Sequence, residues 1–196
     1  MSDREAQLSR KTTETEVRVR LNLDGRGESA INTGIGFLDH MLALFAVHGL
    51  FNLEVQANGD RHVDDHHTVE DVGIVLGEAI GKALGERRGI RRYATTILPM
   101  DETLGMVSLD LSGRSACQFD APLAGKIGAF DAELIEEFFV AVSRGGGLAL
   151  HAKILAGGNQ HHMAEALFKA FGRALDEATR IDPRVGGVPS SKGKLV

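Results

Sequence analysis

The chain of 196 residues has 22 basic, 27 acidic and eight histidine residues, and its length allows one or two small domains. Its formal net charge of −5 argues against a nucleic-acid partner, and its single cysteine, Cys117, excludes an intrachain disulfide framework. No apolar run reaches membrane-spanning length and the first 16 residues are polar, so we expect a cytoplasmic protein with no membrane partner.

The first half of the chain predicts alternating strands and helices. Apolar residues at every second position from Val17 to Leu23 predict a strand, and Asp24-Gly25 predicts a turn after it. We then expect a strand near residue 30, an apolar helix over 36–48 with Gly49 just past its end, a strand over 50–56, and a helix led by His66.

The second half repeats this pattern. His66-His67-Thr68-Val69-Glu70 returns 95 residues later as His161-His162-Met163-Ala164-Glu165, and the apolar ladder of each following helix keeps the same offset. An alternating strand precedes a turn at Ser112-Gly113, and we expect a helix over about 131–143 and a strand over 147–155.

These elements predict an α+β fold with two duplicated half-domains, over 1–93 and 94–182, and a tail over 183–196. Each half would be a small sheet covered on one face by helices, and the two sheets would pack through those helices into a single folded unit. The prolines and glycines of the tail predict a loop.

The paired histidines indicate metal binding. Consecutive side chains on an α-helix point about 100° apart, so the two histidines of a pair cannot easily ligate one ion side by side. Glu70 is within neighbour distance of both His66 and His67, and the second motif has the same spacing. We therefore expect two ions, each taking one histidine of a pair, with nitrogen and oxygen donors that admit Mn, Fe, Zn, Co or Ni.

Four nearby residues leave alternatives open. His40 lies in an otherwise apolar helix, where it needs either a polar partner or a metal ion, and Glu137 is ambiguous for the same reason in the second half. Asp64 and Asp65 precede the first pair and predict a helix cap or acceptors for an imidazole N–H.

Several cations suggest an anionic ligand. Lys169 lies one turn beyond Glu165 on the same helix face, and Arg92 and Arg114 accompany turn-like segments. The hydroxyls, backbone N–H groups and lysine of Ser190-Ser191-Lys192-Gly193 suit a phosphate. Each residue alone could be a solvated surface charge, but together with a metal site they predict a phosphorylated small molecule.

Six stretches, which follow one another over nearly the whole chain, resemble the imidazoleglycerol-phosphate dehydratase family. They are Gly36-Phe37-Leu38-Asp39-His40-Met41, Asp64-Asp65-His66-His67-Thr68-Val69-Glu70-Asp71, Asp110-Leu111-Ser112-Gly113-Arg114, His161-His162 with Glu165, Phe168-Lys169-Ala170-Phe171, and Pro189-Ser190-Ser191-Lys192-Gly193. The resemblance implies a histidine-biosynthesis enzyme that converts imidazole glycerol phosphate to imidazole acetol phosphate and water.

The same resemblance implies a composite site. Two Mn²⁺ ions per subunit would be bound by His40, His66, His67, Glu70, Glu137, His161, His162 and Glu165, although some family members have histidine at position 137. Of these ligands, His40, His67, Glu70, His162 and Glu165 are also expected to be catalytic. The substrate and its phosphate would be bound by Arg92, Arg114, Lys169, Ser190, Ser191 and Lys192. Glu14 would contact the substrate as an acid/base group, and 24 subunits would assemble with sites between them.

The implied mechanism uses a metal-bound imidazolate that expels the hydroxyl beside the ring and gives a diazafulvene-like intermediate. Proton removal, for which Glu14 is the candidate, then gives an enol that ketonises. Two other hypotheses stay open. A dinuclear metallohydrolase acting on a small phosphorylated substrate would release a cleaved product, and a metal-storage protein would show no turnover.

Overall fold

The computed structural model describes residues 4–195. Its four α-helices are α1 (Gly36–Gly49), α2 (His66–Leu84), α3 (Leu134–Gly146) and α4 (Gln160–Thr179). Its strands are β1 (Glu5–Lys11), β2 (Thr15–Asn22), β3 (Ser29–Asn32), β4 (Asn52–Gly59), β5 (Tyr93–Met100), β6 (Thr103–Asp110), β7 (Ala116–Asp120), β8 (Lys126–Ile127), β9 (Phe130–Asp131) and β10 (Ala149–Ala156).

Each half forms a four-stranded sheet with the same topology. The strand orders are β1-β2-β4-β3 and β5-β6-β10-β7, and in both sheets the last pair is parallel while the other pairs are antiparallel. The predicted alternation of β2 is confirmed, because Val17, Val19 and Leu21 are fully buried and the residues between them are exposed. The duplicated α+β fold is therefore confirmed.

The four helices lie between the two sheets. Helix α2 packs on β1 and β2, and α4 packs on β5 and β6, so each motif-led helix covers the sheet of its own half. The halves meet where α1 packs on α4 and α2 packs on α3, and one apolar core runs through both halves. This arrangement is the predicted packing of two sheets through their helices.

Close helix crossings explain several glycines, and one prediction about them is wrong. The left-handed residue after α1 is Leu50, at φ 57°, whereas Gly49 is still helical. Gly49 is required by packing, because a Cβ there would lie 3.0 Å from the Gly172 carbonyl and 2.2 Å from the Phe51 ring. At the equivalent crossing, a Cβ on Gly77 would lie 2.4 Å from the Val142 carbonyl.

Some strands were missed and one helix was misplaced. The edge strands β1 and β5 were not predicted, because their polar and mixed composition gives only a weak alternation. The predicted helix over 131–143 begins at Leu134, since Phe130 and Asp131 belong to the small hairpin of β8 and β9. Within residues 4–195, no helix is long and apolar enough to cross a membrane.

Candidate active site

Three of the predicted metal ligands meet where α1 crosses α4. The Nε2 atom of His40 lies 3.0 Å from Oε1 of Glu165, and Nε2 of His161 lies 3.1 Å from the same oxygen. Both histidine side chains are nearly half exposed, whereas Glu165 is largely buried. The helix crossing thus presents two imidazoles and one carboxylate at the protein surface.

This cluster fits a divalent metal ion. The side chains of His40, His161 and Glu165 each offer one ligand atom, and these three atoms lie within 4.8 Å of one another. Donor atoms bound at about 2.1 Å to one ion stand roughly 3.0 to 3.4 Å apart in octahedral or tetrahedral shells, which matches the nitrogen–oxygen distances observed. Three protein ligands leave coordination positions open for other groups.

Lys169 forms a hydrogen bond with the second carboxylate oxygen of Glu165. Its Nζ donates a 2.6 Å hydrogen bond to Oε2, one helical turn away. Burial alone would raise the pKa of the Glu165 carboxyl, but hydrogen bonds from Lys169 and His40 outweigh burial and hold that pKa at about 2. Glu165 is therefore an anion at neutral pH, as a metal ligand must be.

The second histidine of this pair points elsewhere. The rings of His161 and His162 are 6.4 Å apart and nearly perpendicular, and Nδ1 of His162 lies 2.8 Å from Oε2 of Glu102. That hydrogen bond raises the pKa of His162 and is the main cause that lowers the pKa of Glu102 to about 2. The spacing of the motif predicts that Glu165 lies beside both histidines, but of the two only His161 contacts it.

The first pair has the same geometry with a different acceptor. The rings of His66 and His67 are 6.1 Å apart and perpendicular. Nδ1 of His67 lies 3.0 Å from Oδ2 of Asp60 and 3.9 Å from Oε2 of Glu14. In both halves, a carboxylate therefore holds Nδ1 of the second histidine, and neither His67 nor His162 belongs to the cluster of His40, His161 and Glu165.

In the described part of the chain, no hydrogen bond or ion pair joins the side chains of Glu137, His66 and Glu70. Helix packing nevertheless relates them to the cluster. Gly77 contacts Val142 as Gly172 contacts Phe45, so α3 matches α1 at an offset of 97 residues. At that offset Glu137 occupies the place of His40, while the 95-residue offset relates His66 and Glu70 to His161 and Glu165.

The predicted phosphate ligands fall into two separate groups. Arg92 holds the tail at the start of β5, donating to Asp110 at 2.7 Å and to the Pro189 carbonyl at 2.8 Å. Lys169 contacts Met100 at the other end of β5. Because β5 has eight residues, this end lies about 23 Å from the end where Arg92 is placed. The remaining residues, Arg114, Ser190, Ser191 and Lys192, lie after β6 and in the tail that follows Pro189. One chain therefore does not gather the whole set.

Two residues beside the cluster, His48 and Arg173, are not among the predicted site residues. Burial, together with the positive charges of Lys169 and Arg173, lowers the pKa of His48, so its ring is mainly neutral at pH 7. His161, Glu165, Lys169 and Arg173 recur every four residues along α4, so they line one face. That spacing, and the position of His48 two turns after His40, were the available signals.

Asp64 caps α2 by accepting a 2.8 Å hydrogen bond from the His66 backbone N–H, and Asn159 caps α4 in a similar way. Asp65 instead pairs with Arg61. His62 and His151 are exposed, on the loop before α2 and on the outer face of the second sheet, and neither takes part in the cluster.

Fold and site together define a duplicated α+β protein with a histidine–glutamate cluster at a helix crossing that fits a divalent metal ion. The family model described as imidazoleglycerol-phosphate dehydratase matches residues 33–175. An imidazoleglycerol-phosphate dehydratase of Acetivibrio thermocellus is 59% identical over 194 residues, covering 98% of this chain and 100% of that protein, and one of Streptococcus mutans is 58% identical over 193 residues.

Solved structures agree with this match. A crystal structure of imidazoleglycerol-phosphate dehydratase from Staphylococcus aureus has 42% identity and a TM-score of 0.82, covering 91% of this chain and 99% of that chain. The Pyrococcus furiosus structure, in complex with (S)-C348, has 35% identity and a TM-score of 0.83, covering 96% and 100%. The chain belongs to the imidazoleglycerol-phosphate dehydratase family, a family of hydro-lyases.

Proposed function

We propose that this chain dehydrates imidazole glycerol phosphate to imidazole acetol phosphate in histidine biosynthesis, as a cytoplasmic, metal-dependent enzyme. The observation that carries the metal dependence is the cluster of His40, His161 and Glu165. Family membership supports the substrate. A bound divalent metal would act as a Lewis acid on the imidazole ring of the substrate and would orient that ring.

Mn²⁺ is the proposed ion, with two ions per subunit. Imidazole nitrogen and carboxylate oxygen without thiolate suit it. The full proposed ligand set comprises His40, His66, His67, Glu70, Glu137, His161, His162 and Glu165. The cluster of His40, His161 and Glu165 supports one centre. The second centre is proposed from helix packing alone, which makes Glu137, His66 and Glu70 the counterparts of that cluster although their ligand atoms are not gathered within one chain. Because Asp60 and Glu102 hold Nδ1 of His67 and His162, the Nε2 atoms of these two histidines would complete the centres of neighbouring subunits.

Glu14 is the proposed acid/base residue. Its side chain is about half exposed at the start of β2, and no hydrogen bond engages its carboxylate within residues 4–195. A free carboxylate there can accept the proton from the substrate carbon that keeps its hydroxyl, while the carbon beside the ring loses its hydroxyl. The lost proton and hydroxide together make the water released.

The proposed phosphate subsite combines the two cationic groups from different subunits. Lys169 would face one side of the phosphate, and the group of Arg92, Arg114, Ser190, Ser191 and Lys192 would come from a neighbouring copy. The separation of about 23 Å along β5 supports this division. A closed assembly, for which we propose 24 subunits, would bring the groups together.

Product analysis tests the reaction. We expect the chelator-treated protein to be inactive and the Mn²⁺-restored protein to form imidazole acetol phosphate, with phosphorus NMR showing that the phosphate ester is intact. Release of inorganic phosphate would favour a metallohydrolase, and bound metal without turnover would favour a storage protein. Light scattering with and without EDTA tests whether metal holds the assembly together, which should shrink on chelation.

A further inference from the structure

The equivalent glutamates of the two halves make different contacts. Glu14 and Glu102 directly precede the equivalent strands β2 and β6, 88 residues apart, and each lies beside the second histidine of a pair, His67 or His162. Glu102 is fully engaged, because Oε2 lies 2.8 Å from His162 and Oε1 accepts a 2.9 Å hydrogen bond from the Asn159 backbone N–H. Glu14 lies 3.9 Å from His67 and makes no such contact.

Asp60 accounts for this difference. Both of its carboxylate oxygens lie within 3.2 Å of Nδ1 of His67, and its own backbone N–H donates to the Glu14 carbonyl at 3.1 Å. The Asp60 side chain is only 17% exposed, so it is held close to this position. Gly59 packs against Thr15 and Thr68 as Gly157 packs against Thr103 and Met163, so the counterpart of Asp60 is Gly158, which has no side chain to accept a hydrogen bond. The second half therefore has no carboxylate at this position, and its glutamate binds the histidine.

We propose that Asp60 is a positioning residue that holds Nδ1 of His67 and thereby leaves Glu14 free for the reaction. This inference rests on the proposed function. By accepting the Nδ1 hydrogen, Asp60 leaves Nε2 of His67 as the lone-pair nitrogen available to a metal ion. It also occupies the position that Glu14 would otherwise take, as Glu102 does in the second half.

Removing the Asp60 side chain should therefore have two effects. His67 loses the acceptor that fixes its ring, so metal affinity should fall about 10- to 100-fold. Glu14 is the next carboxylate within reach of Nδ1, at 3.9 Å, so it should move onto His67. The enzyme would then lose turnover although Glu14 is still present.

The decisive comparison is of wild type, Asp60→Ala and Asp60→Asn. Mn²⁺ affinity is measured by chelator competition without substrate, and kcat and KM are measured at saturating Mn²⁺. We expect Asp60→Ala to lose metal affinity and kcat with KM little changed. Asn keeps an acceptor for Nδ1 but is a weaker one than the ionised Glu14. Asp60→Asn should therefore keep most metal affinity and still lose kcat at least about tenfold.

Asp101→Asn is the matched control. Asp101 lies 3.8 Å from Nε2 of His162 and is 70% exposed, but Glu102 already holds that ring. Its φ of 49° is a conformation that asparagine adopts readily. We expect the Mn²⁺ affinity of this variant to be unchanged.

The double variant Asp60→Asn/Glu14→Gln separates positioning from a general structural role. If Asp60 acts by keeping Glu14 free, the double variant should be no slower than Glu14→Gln alone. Additive losses, or a wild-type kcat in Asp60→Asn, would overturn the inference even if Asp60→Ala failed to assemble. A wild-type protein that binds no metal or does not turn over would instead overturn the proposed function.

Discussion

The Lys169 ammonium and the Glu165 carboxylate form a 2.6 Å hydrogen bond one turn apart on α4, beside His40 and His161. In the proposed site, this hydrogen bond joins a residue that would bind the phosphate to a residue that would bind the metal ion. The lysine neutralises part of the charge of Glu165 in the chain without substrate, and in the proposed complex it also faces the phosphate.

Lys169→Met should raise KM for imidazole glycerol phosphate about 10- to 100-fold, because a charge-assisted hydrogen bond contributes roughly 1.5–3 kcal/mol. Steady-state kinetics at saturating Mn²⁺ measure this change. Lys82→Met, which removes an exposed lysine from the last turn of α2, is the control and should leave KM unchanged. An unaltered KM in Lys169→Met would contradict the proposed role in phosphate binding.

Glu14→Gln should lower kcat by about 10²- to 10⁴-fold, because the amide cannot accept the proton. Metal content, measured by elemental analysis, and particle size should stay as in the wild type. Glu16→Gln is the matched control, since Glu16 lies two residues further along the chain, in β2, and its ion pair is with Lys11. If Glu14→Gln lost its metal, Glu14 would have a structural or ligand role instead.

Much of the fold could be predicted from the spacing of apolar and histidine residues. The repeat at 95 residues predicted the duplicated sheets, and the motif-led helices begin at or next to the predicted histidines. Glu102 and Asp60 could not be assigned as partners of His162 and His67, because they are distant in sequence and meet them only through loop and hairpin geometry. Gly49 was misassigned because a helix-end glycine and a helix-crossing glycine look alike in one sequence.

The ion pair of Glu102 and His162 should make metal-free stability depend on pH. The pKa of Glu102 is lowered from 4.5 to about 2, so its contribution is complete above 4.5 and is lost as the pH falls through 2. The pKa of His162 is raised above 6.5, so its contribution is complete below 6.5 and is lost as the pH rises through the raised value.

Glu102→Gln should therefore lower the Tm of chelator-treated protein most between pH 4.5 and 6.5. Thermal unfolding at a series of pH values measures this. The difference from wild type should shrink at alkaline pH, where His162 is neutral in both proteins. A difference that does not vary with pH would contradict the ion-pair interpretation.

Gly77→Ala should lower the free energy of unfolding by about 1–3 kcal/mol, because the added Cβ meets the α3 backbone. Its position would be 2.4 Å from the Val142 carbonyl oxygen. Gly81→Ala on the same helix meets nothing closer than 3.5 Å and should instead raise stability by up to about 1 kcal/mol. Denaturant unfolding of both variants in chelator compares them, and equal effects would contradict the close-packed crossing.

A mixed-assembly assay tests most directly whether the active site is shared between copies of the chain. Lys169→Met and Lys192→Met each damage one of the two cationic groups, and the two variants are co-assembled from equal amounts of metal-free chains with Mn²⁺. If each site takes one group from each of two copies, about a quarter of the sites contain both lysines, and dehydratase activity should rise to about a quarter of the wild-type value. Activity that stays at the average of the two separate variants would contradict a site built between subunits.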